Sequence, residues 1–147
     1  MENLGTVLRI IAAKQTLPGA LLPILHEIQE ALGHIPPESV PLIAKELNLS
    51  RAEVHGVISY YHHFRQTPPG RHVVRVCCAE ACQAVGGEAL AKHARARLEG
   101  SDLSLEPVYC LGLCGIGPAL QIDETTLHAN VTPKKFDALI DALEADQ

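Results

Sequence analysis

Apolar residues recur at intervals of three and four along the first 64 positions, and the breaks between runs fall at Gly, Pro and Asn, which predicts a string of helices. Leu4, Val7, Leu8, Ile10 and Ile11 supply one apolar stripe. Pro18 opens a second segment, in which Leu21, Leu22, Leu25, Ile28, Gln29 and Leu32 run on until Gly33 stops them, the expected Pro start and Gly end. After the turn HIPPES, Val40, Ile43, Ala44 and Leu47 predict a third short helix. Ser50 with Glu53 three residues on is a capping-box pattern for a fourth, which carries Val54, Val57 and Ile58. Helices so few and short make little core alone, so the region reads as a small bundle that packs against something else. The run YYHHFR ends it, with Tyr60, Tyr61 and Phe64 expected to meet a second domain or a partner.

The period changes at TPPG, residues 67–70, where helical spacing gives way to β-branched alternation, and a boundary is placed there between domains 1–68 and 69–147. His72, Val74 and Val76 alternate with Val73, Arg75 and Cys77 as a strand should. Residues 83–98 read as a helix, 105–109 as a strand, and 119–122 with 126–129 as a hairpin around Asp123 and Glu124. Thr132 before Pro133 is an N-cap and first-turn pair for a last helix that reaches about Ala145. The first strand, its crossover helix and the second strand make a βαβ unit with parallel strands. The fold class is thus α+β, with an order compatible with a thioredoxin-like sheet and with other α+β folds.

Composition narrows what such a chain does. At 147 residues, 47% hydrophobic and 20% charged, it belongs with folded globular proteins. A net charge of -5 gives no general basic surface, so no nucleic-acid partner is expected. The helices from Ser39 to Tyr61 could pass for a helix-turn-helix, but the second carries Arg51 and no further Lys or Arg before Arg65. The N-terminus MENLGTVLRIIAAKQ lacks the features of a secretory signal, and no apolar run approaches a membrane span. A cytoplasmic location without direct membrane insertion is the expectation, and there clustered cysteines bind metal or do redox chemistry more readily than they form structural disulfides.

Three of the five cysteines lie in VCCAEACQAVGG, and the other two in YCLGLCGIGPAL. Cys77, Cys78 and Cys82 sit where the first strand yields to its helix, and Cys110 and Cys114 just past the second. If the strands are parallel neighbours, both groups emerge at one end of the sheet, as a four-thiolate site requires. Gly112, Gly115 and Gly117 allow tight turns around inorganic sulfide and open N–H groups toward sulfur, which favours an iron–sulfur cluster. Zinc is the main alternative, because the spacings do not exclude a site of four cysteines around one ion, and a thioredoxin-type redox pair is disfavoured by the lack of Cys-x-x-Cys. Spacing alone leaves Cys78 open as a ligand, since Cys78 to Cys82 repeats the gap of Cys110 to Cys114. No Ser-His-Asp set and no phosphate-cradling Gly-x-Gly-x-x-Gly stands out, so no catalytic residue is assigned. The eight histidines are scattered or, at His62 and His63, adjacent and divergent, and each is given an ordinary structural role.

Taken together, the Cys-x4-Cys at Cys77 and Cys82, the Cys-x3-Cys in CLGLCGIGPAL, and the runs LLPILHEIQEALGHIP and VHGVISYYHHFR resemble the 24 kDa-type [2Fe–2S] subunit family. It includes the E subunit of NADH:quinone oxidoreductase, diaphorase subunits of NAD-linked hydrogenases and the gamma subunit of NAD-dependent formate dehydrogenases. The resemblance implies a helical bundle followed by a thioredoxin-like domain with one [2Fe–2S] cluster. It also implies docking onto a flavoprotein subunit that carries FMN, the NAD site and a further iron–sulfur cluster, beside a larger catalytic subunit. Carried over residue by residue, the ligands are Cys77, Cys82, Cys110 and Cys114, and Cys78 is left as a packing residue. AEACQAVGG at 79–87 and the short chain are most similar to the formate dehydrogenase gamma subunit. The implied function is electron transfer with the FMN of the partner, either there or in the other two kinds of complex. A zinc-stabilised interaction module and a free-standing ferredoxin are the rivals.

Overall fold

The computed structural model describes residues 2–145, and the chain forms two compact units, Met1–Pro68 and Pro69–Gln147. The first holds α1 (Glu2–Lys14), α2 (Leu21–Leu32), α3 (Ser39–Glu46) and α4 (Arg51–Tyr60). The second holds β1 (Val73–Cys77), α5 (Glu80–Ala84), α6 (Gly87–Leu98), β2 (Ser104–Val108), β3 (Leu120–Ile122), β4 (Thr126–His128) and α7 (Pro133–Ala145), with a 3-10 turn at Cys114–Ile116. Among the described residues no helix is long and apolar enough to cross a membrane.

The helical unit has more core than its short segments predict. Val7, Ile10, Ile11, Ile24, Leu25, Ile28, Ile35, Ile43 and Val54 are all but inaccessible to solvent, and Phe64 is buried in the same cluster. Leu8, assigned to the apolar stripe, instead faces outward. Helix α2 begins at Leu21 and not at Pro18, because Gly19 at φ +67° turns the chain between them, while Gly33 at φ +76° ends it as expected. The capping box on α4 is complete: the Glu53 N–H donates to Ser50 Oγ at 3.1 Å and the Ser50 N–H to Glu53 Oε2 at 2.7 Å. Gln29, buried in the apolar stripe, clamps irregular backbone. Its Nε2 donates to the His63 carbonyl at 2.7 Å, and its Oε1 accepts from the Arg65 N–H at 2.8 Å. His62 and His63 lie past the end of α4, and the His63 ring stacks near His26 with centroids 5.2 Å apart.

The second unit is a four-stranded sheet in the order β2-β1-β3-β4. Strand β1 runs parallel to β2, with Val73 opposite Ser104 and Cys77 opposite Val108, and antiparallel to β3, with Val76 opposite Leu120. The hydrophobic pattern pins this register: Val74, Val76, Leu120 and Ile122 share a core with Leu90, Ala94 and Leu98 of α6 and Phe136 and Ile140 of α7. Strand β2 starts and ends one residue earlier than its sequence suggests, and its Pro107 is tolerated because β2 is an edge strand. The helix expected over 83–98 is two helices, α5 and α6, parted at Gly86, which takes φ +103°. Thr132 caps α7, its Oγ1 accepting from the Lys135 N–H at 3.1 Å.

Phe136 is fully buried beneath the sheet, so Phe136→Ala should cost about 3–5 kcal/mol through lost transfer energy and the cavity left behind. Urea unfolding followed by circular dichroism measures it; a loss below about 1 kcal/mol would contradict the packing described.

Candidate metal centre

Both cysteine groups reach one end of the sheet because β1 and β2 are parallel and end in register, Cys77 opposite Val108. The Cys77 N–H donates to the Ala119 carbonyl at 3.0 Å, and the Cys78 N–H to the Val108 carbonyl at 2.8 Å, so strand geometry persists through Cys78. Ala79, extended at φ -81° and ψ 161°, then lifts the chain into α5, which carries Cys82. Beyond β2 the backbone doubles back sharply, with Cys110 at φ +100° and Gly112 at φ +76°. A non-glycine residue in that region costs of order 1–3 kcal/mol, and Cys110 holds it where its sulfur meets its partners. Its Sγ lies 3.6 Å from Cys114 Sγ and accepts from the Gly112 N–H at 3.3 Å.

Two glycines shape the space around Cys82. A Cβ on Gly87 would stand 2.6 Å from the Cys82 carbonyl oxygen, and one on Gly117 would stand 3.1 Å from Cys82 Sγ. The break between α5 and α6 therefore lets α6 start directly against the backbone of Cys82. Gly117 leads through a cis peptide bond to Pro118 and so to Ala119 beside Cys77.

The thiols are electrostatically unequal. Burial opposes ionisation of Cys77, yet hydrogen bonding from the Ala79 backbone, the Cys82 thiol and the Cys110 and Leu111 backbone together holds its pKa below the ordinary thiol value. Cys82 is pushed up, first by burial and then by its neighbour Cys77. Cys114 is pushed up chiefly by its contact with Cys110. These hydrogen bonds shift Cys77 toward the thiolate, the form that binds metal.

Cys77, Cys82, Cys110 and Cys114 are thus brought together as two close pairs, one buried and one exposed. Among the described residues, no three Cys, His, Asp or Glu side chains gather where one metal ion would hold them. Paired thiols suit a two-iron cluster, in which each iron takes two protein ligands, better than a single zinc. N–H groups directed at Cys77 and Cys110 add the hydrogen bonding that thiolate-bound iron favours. Cys78 is not in this set: half-buried, it packs against the core under the helices, with its Sγ 3.5 Å from the Val76 carbonyl. Sequence reading overlooked Gly87 and Ala119, and the Gly-Gly at 86–87 inside a helical pattern was the available signal. The histidines stand apart from the thiols where their contacts are described; His93, for example, bridges α6 and α7 through Asp137 Oδ1 at 2.7 Å.

The chain is similar to known proteins in sequence and in fold. The model of the thioredoxin-like [2Fe–2S] ferredoxin family matches residues 7–144. The E subunit of the NADH-quinone oxidoreductase of Pseudomonas aeruginosa is 31% identical over 131 residues, covering 84% of this chain and 78% of that protein. The HndA subunit of the NADP-reducing hydrogenase of Solidesulfovibrio fructosivorans is 27% identical over 142 residues, covering 91% and 82%. Among solved structures, an air-oxidised NAD+-reducing [NiFe]-hydrogenase superposes with a TM-score of 0.65 at 27% identity, over 90% of this chain and 24% of that one. With the family model spanning nearly its whole length, the chain belongs to the thioredoxin-like [2Fe–2S] ferredoxin family, in company with the E subunits of NADH-quinone oxidoreductase.

Proposed function

We propose that this chain is an electron-transfer subunit of an NAD-linked oxidoreductase, in which Cys77 and Cys82 hold one iron of a [2Fe–2S] cluster and Cys110 and Cys114 hold the other. The observation that carries the reading is the delivery of two thiol pairs to one end of a parallel strand pair. When bound, the cluster supplies reversible one-electron transfer. The chain's own part is to hold it: Cys77 and Cys82 from the buried side, Cys110 and Cys114 from the solvent side.

The solvent-side pair also marks where a partner would sit. Tyr109 and Ile116, which flank it in sequence, and Val85 beside Gly117 expose about half of their surface, and apolar side chains grouped at one site favour contact with another protein. The partner is an FMN- and NAD-binding flavoprotein subunit with a further iron–sulfur cluster, whose flavin handles the two-electron step with NAD. Within this reading the parent enzyme is an NAD-dependent formate dehydrogenase with a larger catalytic subunit, a choice that rests on the AEACQAVGG segment. NADH:quinone oxidoreductase and the NAD-linked hydrogenase are the competing complexes, and the names of the relatives favour those two.

Three measurements test these claims. Anaerobically purified full-length chain should contain two irons and two acid-labile sulfides and give a [2Fe–2S] electron paramagnetic resonance signal on reduction; one zinc without sulfide would sink the cluster. Cys77→Ser should lose or cripple that signal while Cys78→Ser leaves it in place, and the reverse result would overturn the ligand assignment. Purification from the native cell with identification of the attached subunits should bring down a flavoprotein and a molybdenum subunit; a hydrogenase subunit or a membrane arm would replace formate dehydrogenase by the corresponding complex.

A further inference from the structure

Arg75 is a charge buried where the fold does not need one. It is 7% exposed, on the central strand β1, and its guanidinium is shared among three partners. Nε donates to Glu106 Oε2 at 3.1 Å, Nη2 to Glu124 Oε1 at 2.8 Å and Nη1 to Gln121 Oε1 at 3.5 Å. Glu106 and Gln121 are its register partners on β2 and β3, so the polar ladder crosses three strands. Burying such a group carries a desolvation penalty, and apolar replacement of buried ion pairs is often neutral or stabilising. Register does not explain the penalty, because Val74, Val76, Leu120 and Ile122 already fix it from the opposite face.

What distinguishes the face is its other occupant. Side chains alternate along a strand, so Arg75 and Cys77 share one face of β1, about 6–7 Å apart along the chain. Glu106 stands two residues before Val108, the residue opposite Cys77, whereas Glu124 lies out in the hairpin turn with its side chain 58% exposed. Reduction adds negative charge to whatever Cys77 holds. A buried cation nearby favours the reduced form, a half-buried carboxylate such as Glu106, its side chain 20% exposed, opposes it, and an exposed carboxylate is screened by solvent.

We propose that Arg75 tunes the reduction potential of the cluster, its buried positive charge offsetting Glu106 and easing electron uptake at the Cys77 side. The inference rests on the proposed assignment of Cys77 as a ligand. Arg75 touches neither electron donor nor acceptor in this account; it acts through its charge.

The test uses full-length, cluster-loaded protein, with the midpoint read by redox potentiometry followed by electron paramagnetic resonance. Arg75→Met should lower the midpoint, corresponding to a roughly threefold to tenfold loss in the reduction equilibrium, tenfold being about 59 mV for a one-electron couple. Arg75→Lys should stay near the wild-type value. Glu106→Gln should raise the midpoint, and Glu124→Gln should raise it less. A merely structural role would change cluster content or melting temperature without this order of signs. An Arg75→Lys midpoint displaced as far as that of Arg75→Met overturns the proposal, and so does a Glu106→Gln midpoint that fails to rise. If Arg75→Met loses its iron, the two carboxylate variants, which keep Arg75, decide alone. Iron and sulfide content is measured first: a wild-type chain without a cluster overturns the proposed site and this inference together, whereas an intact cluster with an unmoved midpoint overturns the inference alone.

Discussion

The parallel pairing of β1 with β2 is the constraint on which the rest of the second unit depends. Two parallel neighbours end at the same edge of the sheet, so the segments that follow Cys77 and Val108 start side by side. An antiparallel partner would have put the second pair of cysteines at the far end of a five-residue strand, roughly 16 Å away. Parallel strands need a long crossover, and α5 and α6 supply it. The order β2-β1-β3 adds a second consequence. The chain leaves β2 on one side of β1 and re-enters as β3 on the other, so residues 109–119 must pass over the end of β1, where Cys77 lies. The site is closed by connectivity before any side chain is considered.

That closure brings local costs. Helix α5 has five residues, too few to persist without support, and its support comes from the packing of Cys82 with Cys77 and Ala119. Cys110 occupies a backbone region that glycine tolerates and other residues avoid. Gly87 is fixed as glycine by its approach to the Cys82 backbone, and Gly117 lies so near Cys82 Sγ that a side chain there would crowd it. Each of these departures from regular structure lies within a few residues of a thiol. The helices α6 and α7 and the apolar face of the sheet are regular, and their burial supplies the folding free energy that offsets such departures.

How much of this could be read from the chain follows from which interactions are local. Capping at Ser50 and Thr132 and the stop at Gly33 were readable because each depends on neighbours within three or four residues. The parallel strands followed from β-branched alternation separated by a crossover helix, and from them the meeting of the two cysteine loops. The break at Gly86 was marked only by the Gly-Gly pair, since the apolar spacing runs on across it and the reason for the break, the backbone of Cys82, belongs to the site. Leu8 was misplaced for a related reason. Periodicity gives a helix an apolar side but does not say which residues at its margins the neighbouring helices cover. The burial of Arg75 had no signal at all, because its partners come from β2, β3 and the hairpin turn, up to 49 residues away in sequence.

The adjacent thiols Cys77 and Cys78 show how the sheet makes a choice that spacing leaves open. Both sit at the end of β1, and either could be paired with Cys82 on sequence alone. Pairing continues past the nominal end of the strand, however, with the Cys77 N–H held by Ala119 and the Cys78 N–H held by Val108. Alternation therefore still applies, and it sends Cys77 to the side of Cys82 and Ala119 and Cys78 to the side of the helical core. Exchanging their roles would require this stretch to rotate by half a turn, breaking both bonds at a net cost of about 0.5–1.5 kcal/mol each. It would also place the Cys77 side chain in the space beneath α6 and withdraw from its sulfur the hydrogen bonding of the Ala79, Cys110 and Leu111 backbone. The pleat of β1, set by its pairing with β2 and β3, is thus what makes two chemically identical neighbours inequivalent.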